Sequence, residues 1–138
     1  MSFKGKCLCG AVRYEVRKDA VEVGSCHCGM CRAWTGGINL SFEAKPEEIA
    51  FTGEEMIETY ASSDWAERAF CRRCGSSLFY RSKADGAMHV AAGSLESWDG
   101  ARFIGEIYID AKPALYALAG DHERMTEAEF LASIGMAG

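Results

Sequence analysis

Seven cysteines in three tight groups constrain this chain more than any other feature of its sequence. They fall as Cys7-x-Cys9, Cys26-x-Cys28-x2-Cys31 and Cys71-x2-Cys74. The opening residues Met1 to Cys7 hold no apolar stretch of the secretory kind, so a reducing, cytoplasmic setting is expected. In that setting closely spaced cysteines bind metal more often than they pair, and an odd number suits disulfide pairing poorly. A structural metal site takes four soft ligands in a closed tetrahedron, whereas a working site keeps three and an open position. Cys26, Cys28 and Cys31 lie close enough in sequence to reach one ion unaided. The outer pairs, Cys7 with Cys9 and Cys71 with Cys74, then supply four sulfurs to a second ion. The expectation is two zinc ions per chain, one in a closed site and one in an open site. Buried free thiols and an iron–sulfur cluster are the other uses these sulfurs allow.

Length and charge narrow the remaining choices. The 138 residues suit one domain, and 49% hydrophobic with 25% charged residues is ordinary globular composition. Fifteen Lys and Arg against 20 Asp and Glu leave a net charge of -5. That balance opposes capture of nucleic acid or of an anionic membrane, both of which call for a basic face. No apolar run approaches the ~18 residues of a transmembrane helix. A single soluble domain over residues 1–138 is expected, with no nucleic-acid or membrane partner.

Along the chain, alternation dominates. Val12, Tyr14 and Val16 share one face, with Arg13, Glu15 and Arg17 between them, the pattern of a half-buried strand. Further strands are expected at Ile38–Phe42, Glu48–Phe51, Met56–Tyr60, Ala66–Cys71, Ser77–Arg81, Ala87–Ala91 and Glu106–Ile109. Gly36-Gly37, Thr52-Gly53, Asp85-Gly86 and Asp99-Gly100 punctuate them. Cys9-Gly10 and Cys74-Gly75 have the form of metal-knuckle turns, where glycine tolerates the positive φ that aims amides at sulfur. Thr126-x-x-Glu129 fits a capping box opening a short C-terminal helix that Gly135 stops, and a helical turn is expected at Met30–Trp34. The fold class is mainly β, with short antiparallel sheets and a short C-terminal helix.

Three segments resemble the glutathione-dependent formaldehyde-activating enzyme family, also called the centromere protein V family. They are Gly5-Lys6-Cys7-Leu8-Cys9-Gly10-Ala11-Val12-Arg13-Tyr14, the stretch Cys26-His27-Cys28-Gly29-Met30-Cys31-Arg32-Ala33-Trp34-Thr35-Gly36-Gly37, and Phe70-Cys71-Arg72-Arg73-Cys74-Gly75-Ser76-Ser77-Leu78-Phe79. Tyr60-Ala61-Ser62-Ser63 and Ala92-Gly93-Ser94-Leu95 are also similar. The resemblance runs over residues 3–118 and leaves the tail, 119–138, outside. It implies a β-tent zinc domain with a structural ion on Cys7, Cys9, Cys71 and Cys74, and an ion near the substrate on Cys26, Cys28 and Cys31. It further implies a carbon–sulfur lyase that condenses formaldehyde with glutathione to S-(hydroxymethyl)glutathione. Two departures stand out: Glu106 opens the strand where members often carry a His, and Leu115 lies near where they often carry a Trp.

Three thiolates leave a zinc ion poorly suited to making hydroxide and well suited to a soft fourth ligand such as a substrate thiol. Arg32 is the candidate for offsetting thiolate charge or binding a glutathione carboxylate, and Trp34 the candidate for walling the pocket. A second purely structural zinc, or a non-catalytic glutathione-binding or scaffold module, is the competing expectation. His27 is expected to point away from Cys26 and Cys28 and to stand beside the ion rather than on it. Ser62-Ser63 lacks the partners of a nucleophile, Arg72-Arg73 reads as a solvated turn, His89 reads as a core or surface residue, and His122 sits in a polar tail.

Overall fold

Side-chain alternation sets most of the backbone. In the computed structural model, which describes residues 2–136, strand β2 (Arg13–Arg17) buries Tyr14 and Val16 and exposes Arg13 and Arg17. The chain forms two compact units, one built from residues up to Glu22 together with Ser41–Arg102, the other from Val23–Leu40 together with residues from Phe103 onward.

In the first unit, β1 (Ser2–Lys6), β2 and β5 (Ile49–Thr52) make a three-stranded antiparallel sheet in the order β1-β2-β5. Five more strands follow one another antiparallel: β4 (Leu40–Ala44), β9 (Met88–Ala91), β8 (Ser77–Ser82), β7 (Ala66–Cys71) and β6 (Ile57–Tyr60). Val12, Val16, Phe42, Ala44, Ala66, Ala69, Leu78, Phe79 and Val90 are buried there, and each larger side chain among them stabilises the fold by about 1.5–3 kcal/mol. Phe51 lies against both Tyr14 and Phe79, with ring centroids 6.0 and 5.4 Å apart. At Gly53 (φ 82°) a Cβ would stand 1.9 Å from the carbonyl oxygen of Ala11, so only glycine fits this turn.

The second unit holds most of β3 (Val21–Cys26), α1 (Gly29–Thr35), most of β10 (Ala101–Ile107), β11 (Glu123–Arg124) and α2 (Glu127–Ser133). β10 lies between β3 and β11, and β11 runs parallel to it with Gly105 opposite Glu123 and Glu106 opposite Arg124. α2 opens on the expected capping box: Thr126 Oγ1 accepts from Glu129 N at 3.1 Å, and Glu129 Oε1 accepts from Thr126 N at 2.9 Å.

The mainly β architecture with a short terminal helix is the one expected, and several boundaries differ. The strand expected at Glu106–Ile109 runs instead over Ala101–Ile107. It stops because Tyr108 turns into the left-handed region (φ 57°), the one non-glycine residue to do so among the described residues. The strand expected at Ile38–Phe42 lies two residues later, since Gly36 and Gly37 end α1 and delay re-entry into extended backbone. The tail is part of the fold, supplying β11 and α2. Among the described residues no helix is long and apolar enough to cross a membrane.

Candidate metal centres

Cys7, Cys9, Cys71 and Cys74 are brought together in the first unit, their sulfurs all within 4.8 Å of one another. Two similar turns build the group. Cys7 follows β1, its carbonyl accepts from Gly10 N at 3.1 Å, and its sulfur accepts from Val12 N at 3.3 Å. Cys71 ends β7, and its carbonyl accepts from Gly75 N at 2.7 Å. Gly10 and Gly75 share a φ of 79°, the conformation expected of a knuckle. The sulfurs of Cys7 and Cys9 are 3.6 Å apart and those of Cys9 and Cys71 3.8 Å. A tetrahedron with metal–sulfur bonds of about 2.3 Å has an edge of about 3.8 Å, so the set fits a four-coordinate thiophilic ion. Hydrogen bonds from the Ser76 hydroxyl and amide hold the Cys74 thiol down at about 5, which favours the thiolate a metal requires.

Cys26, Cys28 and Cys31 form the other group, in the second unit, again with sulfurs within 4.8 Å of one another. Cys26 ends β3, and Cys28 is the N-cap of α1, where its sulfur accepts from Cys31 N at 3.4 Å. One helical turn then carries Cys31 back over the cap. No fourth His, Cys, Asp or Glu among the described residues joins the group. Hydrogen bonds with Cys26 and Cys31 push the Cys28 thiol down, and those with Cys28 and Cys31, together with burial, push Cys26 up. One thiolate is thus favoured at its neighbour's expense. The donor set fits a soft metal ion with three protein ligands.

His27, between two of these cysteines, is fully buried and outside the sulfur group. Its Nε2 lies 2.6 Å from Glu106 Oε1. His122 Nε2 reaches Glu106 Oε2 at 2.6 Å, and Arg124 Nε donates to the same oxygen at 3.1 Å. Burial pushes the Glu106 carboxyl up, and hydrogen bonds from His122 and His27 outweigh it, leaving a net shift below the ordinary carboxylate value. His122, expected in a polar tail, is instead almost fully buried because that carboxylate needs a donor on each oxygen. Neither Glu106 nor Arg124 was expected at the site. The signal available for Glu106 is a lone carboxylate within the apolar run Phe103-Ile104-Gly105-Glu106-Ile107-Tyr108-Ile109. Tyr108 feels the same site: burial raises its hydroxyl, as do the charges of Glu127 and the three thiols.

Arg32, in α1, donates from Nε to the His27 carbonyl at 3.0 Å, and Trp34 is half-buried one turn beyond Cys31. The buried hydroxyls of Ser62 and Ser63 find no hydrogen-bond partner among the described residues, so no base activates either. Arg72 donates to the Glu55 carbonyl at 2.8 Å in an exposed turn. His89 sits on the outward face of β9 opposite Glu43.

Comparison with known proteins finds relatives of this chain. Residues 2–111 match the family described as glutathione-dependent formaldehyde-activating enzyme. A Schizosaccharomyces pombe protein named an uncharacterized lyase is 28% identical over 133 residues, 96% of each chain. A Halomonas elongata protein, provisionally named a glutathione-dependent formaldehyde-activating enzyme, is 35% identical over 89 residues, covering 57% of this chain and 55% of its own. Among solved structures, that of a Rhodobacter sphaeroides protein is similar with a TM-score of 0.56 and 27% identity, over 68% of this chain and 88% of the other.

Proposed function

The chain belongs to the glutathione-dependent formaldehyde-activating enzyme family, and from that membership we propose a carbon–sulfur lyase that interconverts glutathione–aldehyde adducts and their parts. One observation supports this over a purely structural reading: the group of Cys26, Cys28 and Cys31 has three donors, whereas the other group has four. We assign zinc to both groups, structural on Cys7, Cys9, Cys71 and Cys74. Bound at the three cysteines, zinc would supply a soft Lewis acid that favours the thiolate form of a substrate thiol. The single domain expected from the sequence is kept in this reading, since the family match spans residues drawn from both units. A reducing cytoplasm suits it, because thiols there stay free for metal and substrate.

Each part of the site then has a chemical task. Cys26, Cys28 and Cys31 set the position of the reacting sulfur. Arg32, anchored through Nε to the His27 carbonyl, places a fixed positive charge beside three thiolates and toward a glutathione carboxylate. Trp34 walls the pocket on the side of α1. In the forward direction the glutathione sulfur bonds to the formaldehyde carbon, the carbonyl π bond opens, and the thiol proton ends on the new hydroxyl. Holding both reactants in one place gives the reaction an entropic advantage.

Thiols add to formaldehyde unaided, so the test is a rate above the spontaneous one. Exchange NMR on an equilibrium mixture of glutathione and its hydroxymethyl adduct reads that rate directly. It is expected to rise in proportion to zinc-loaded protein. A rate indifferent to protein, with glutathione still bound, would make the chain a binding module instead.

A further inference from the structure

Glu106 is a buried charge held from several directions, and its partners lead to the three-cysteine site. Only 1% of its surface is exposed. An ionised carboxylate accepts and never donates, so His27 and His122 each present Nε2–H to it, at 2.6 Å on opposite oxygens. His27 Nδ1, on the other side of the ring, is buried and without a hydrogen-bond partner among the described residues. His27 is also held through its backbone: its amide donates to the Ile107 carbonyl at 3.1 Å, and its carbonyl accepts from Arg32 Nε at 3.0 Å. Ring, amide and carbonyl are all fixed in a residue whose two neighbours are Cys26 and Cys28.

We propose that Glu106 is a positioning residue for the Cys26, Cys28 and Cys31 site: by clamping the His27 ring it fixes the two sulfurs on either side at the separation a metal ion requires. This rests on the reading of those sulfurs as a metal site. Ligands fixed before binding lose less conformational freedom when the ion enters, which raises affinity. The clamp draws on the C-terminal segment beyond the family match. Met125 N donates to the Glu106 carbonyl at 2.9 Å, and Ile109 N to the Met125 carbonyl at 2.9 Å. Arg124 ties Glu106 to the carbonyls of Leu118 and Gly120, each at 3.1 Å, and the Phe103 ring meets the His122 ring edge-on at 4.5 Å. The tail is in this sense part of the metal site, although none of its described residues joins the three sulfurs.

Cobalt(II) is the probe, since its thiolate complexes absorb visible light and its affinity at each site can be read by competition with a chelator. The four-cysteine site serves as the internal reference, and the band lost in Cys28→Ser identifies the other. Glu106→Gln keeps the shape and removes the charge. It is expected to weaken cobalt at the three-cysteine site by about tenfold or more and to leave the four-cysteine site unchanged. His122→Leu, which removes one of three donors, is expected to shift the same site in the same direction by less, and carries the test should Glu106→Gln not fold. A purely structural role would lower both affinities together with the melting temperature, or neither, and either result overturns the proposal. Unaltered protein that loads a single cobalt overturns the metal reading itself. A two-cobalt protein indifferent to both substitutions overturns only the role of Glu106.

Discussion

Replacing Cys74 by Ser is expected to leave no stably folded protein. Cys74 sits in the turn between β7 and β8, and its group includes Cys7 and Cys9, which follow β1 and so lie more than 60 residues away in sequence. Binding free energy at a site of this kind is folding free energy, on the order of 10 kcal/mol or more. The whole stability of a small domain is about 5–15 kcal/mol, so losing most of that metal affinity exceeds what the cores can offset. Circular dichroism and a zinc count on purified Cys74→Ser check this. The expected result is a coil-like spectrum, or a melting temperature too low to measure. A native spectrum with a transition within a few degrees of the unaltered protein contradicts a structural role for this site.

Cys28→Ser has an equally large expected effect of a different kind. Cys28 caps α1 with its sulfur, and Ser is itself among the best N-cap residues, so the helix keeps its start. The second group is left with two sulfurs, which cannot hold an ion as three do. The expected outcome is native circular dichroism, one zinc per chain instead of two, and glutathione affinity lower by roughly 100-fold or more. Calorimetry on protein of counted zinc content measures it. If Cys28→Ser unfolds as Cys74→Ser does, the two sites are equivalent and the second has no working role.

The contrast between these substitutions follows from cysteine spacings that are legible in the sequence itself. The two sulfur groups stand together as the spacing suggests, because each knuckle is a local turn whose cysteines and glycine lie within a few residues. The strands beginning near Arg13, Ala66, Ser77 and Met88 are legible for the same reason: alternation is a local property, and burial on one face fixes the register. The clamp on His27 is not. Its members, Glu106, His122 and Arg124, meet only because the tail returns as a parallel strand beside β10, a pairing set by tertiary contacts. The end of β10 is hidden too, since the left-handed turn at Tyr108 occurs in a residue that rarely adopts it. An isolated carboxylate in an apolar run says that partners exist. It does not say which.

The central claim is that a substrate thiol takes the open position at Cys26, Cys28 and Cys31. The most direct test compares glutathione with S-methylglutathione in titration calorimetry on protein carrying two zinc ions. The two ligands share every carboxylate and amine, and the methyl cap on the second leaves its sulfur unable to ionise. Glutathione is expected to bind with release of about one proton at neutral pH, as a thiol does on entering a metal site, while S-methylglutathione binds far more weakly and releases none. Equal affinity for the two, with no proton released, would contradict the claim and reduce the site to a pocket for the glutathione backbone.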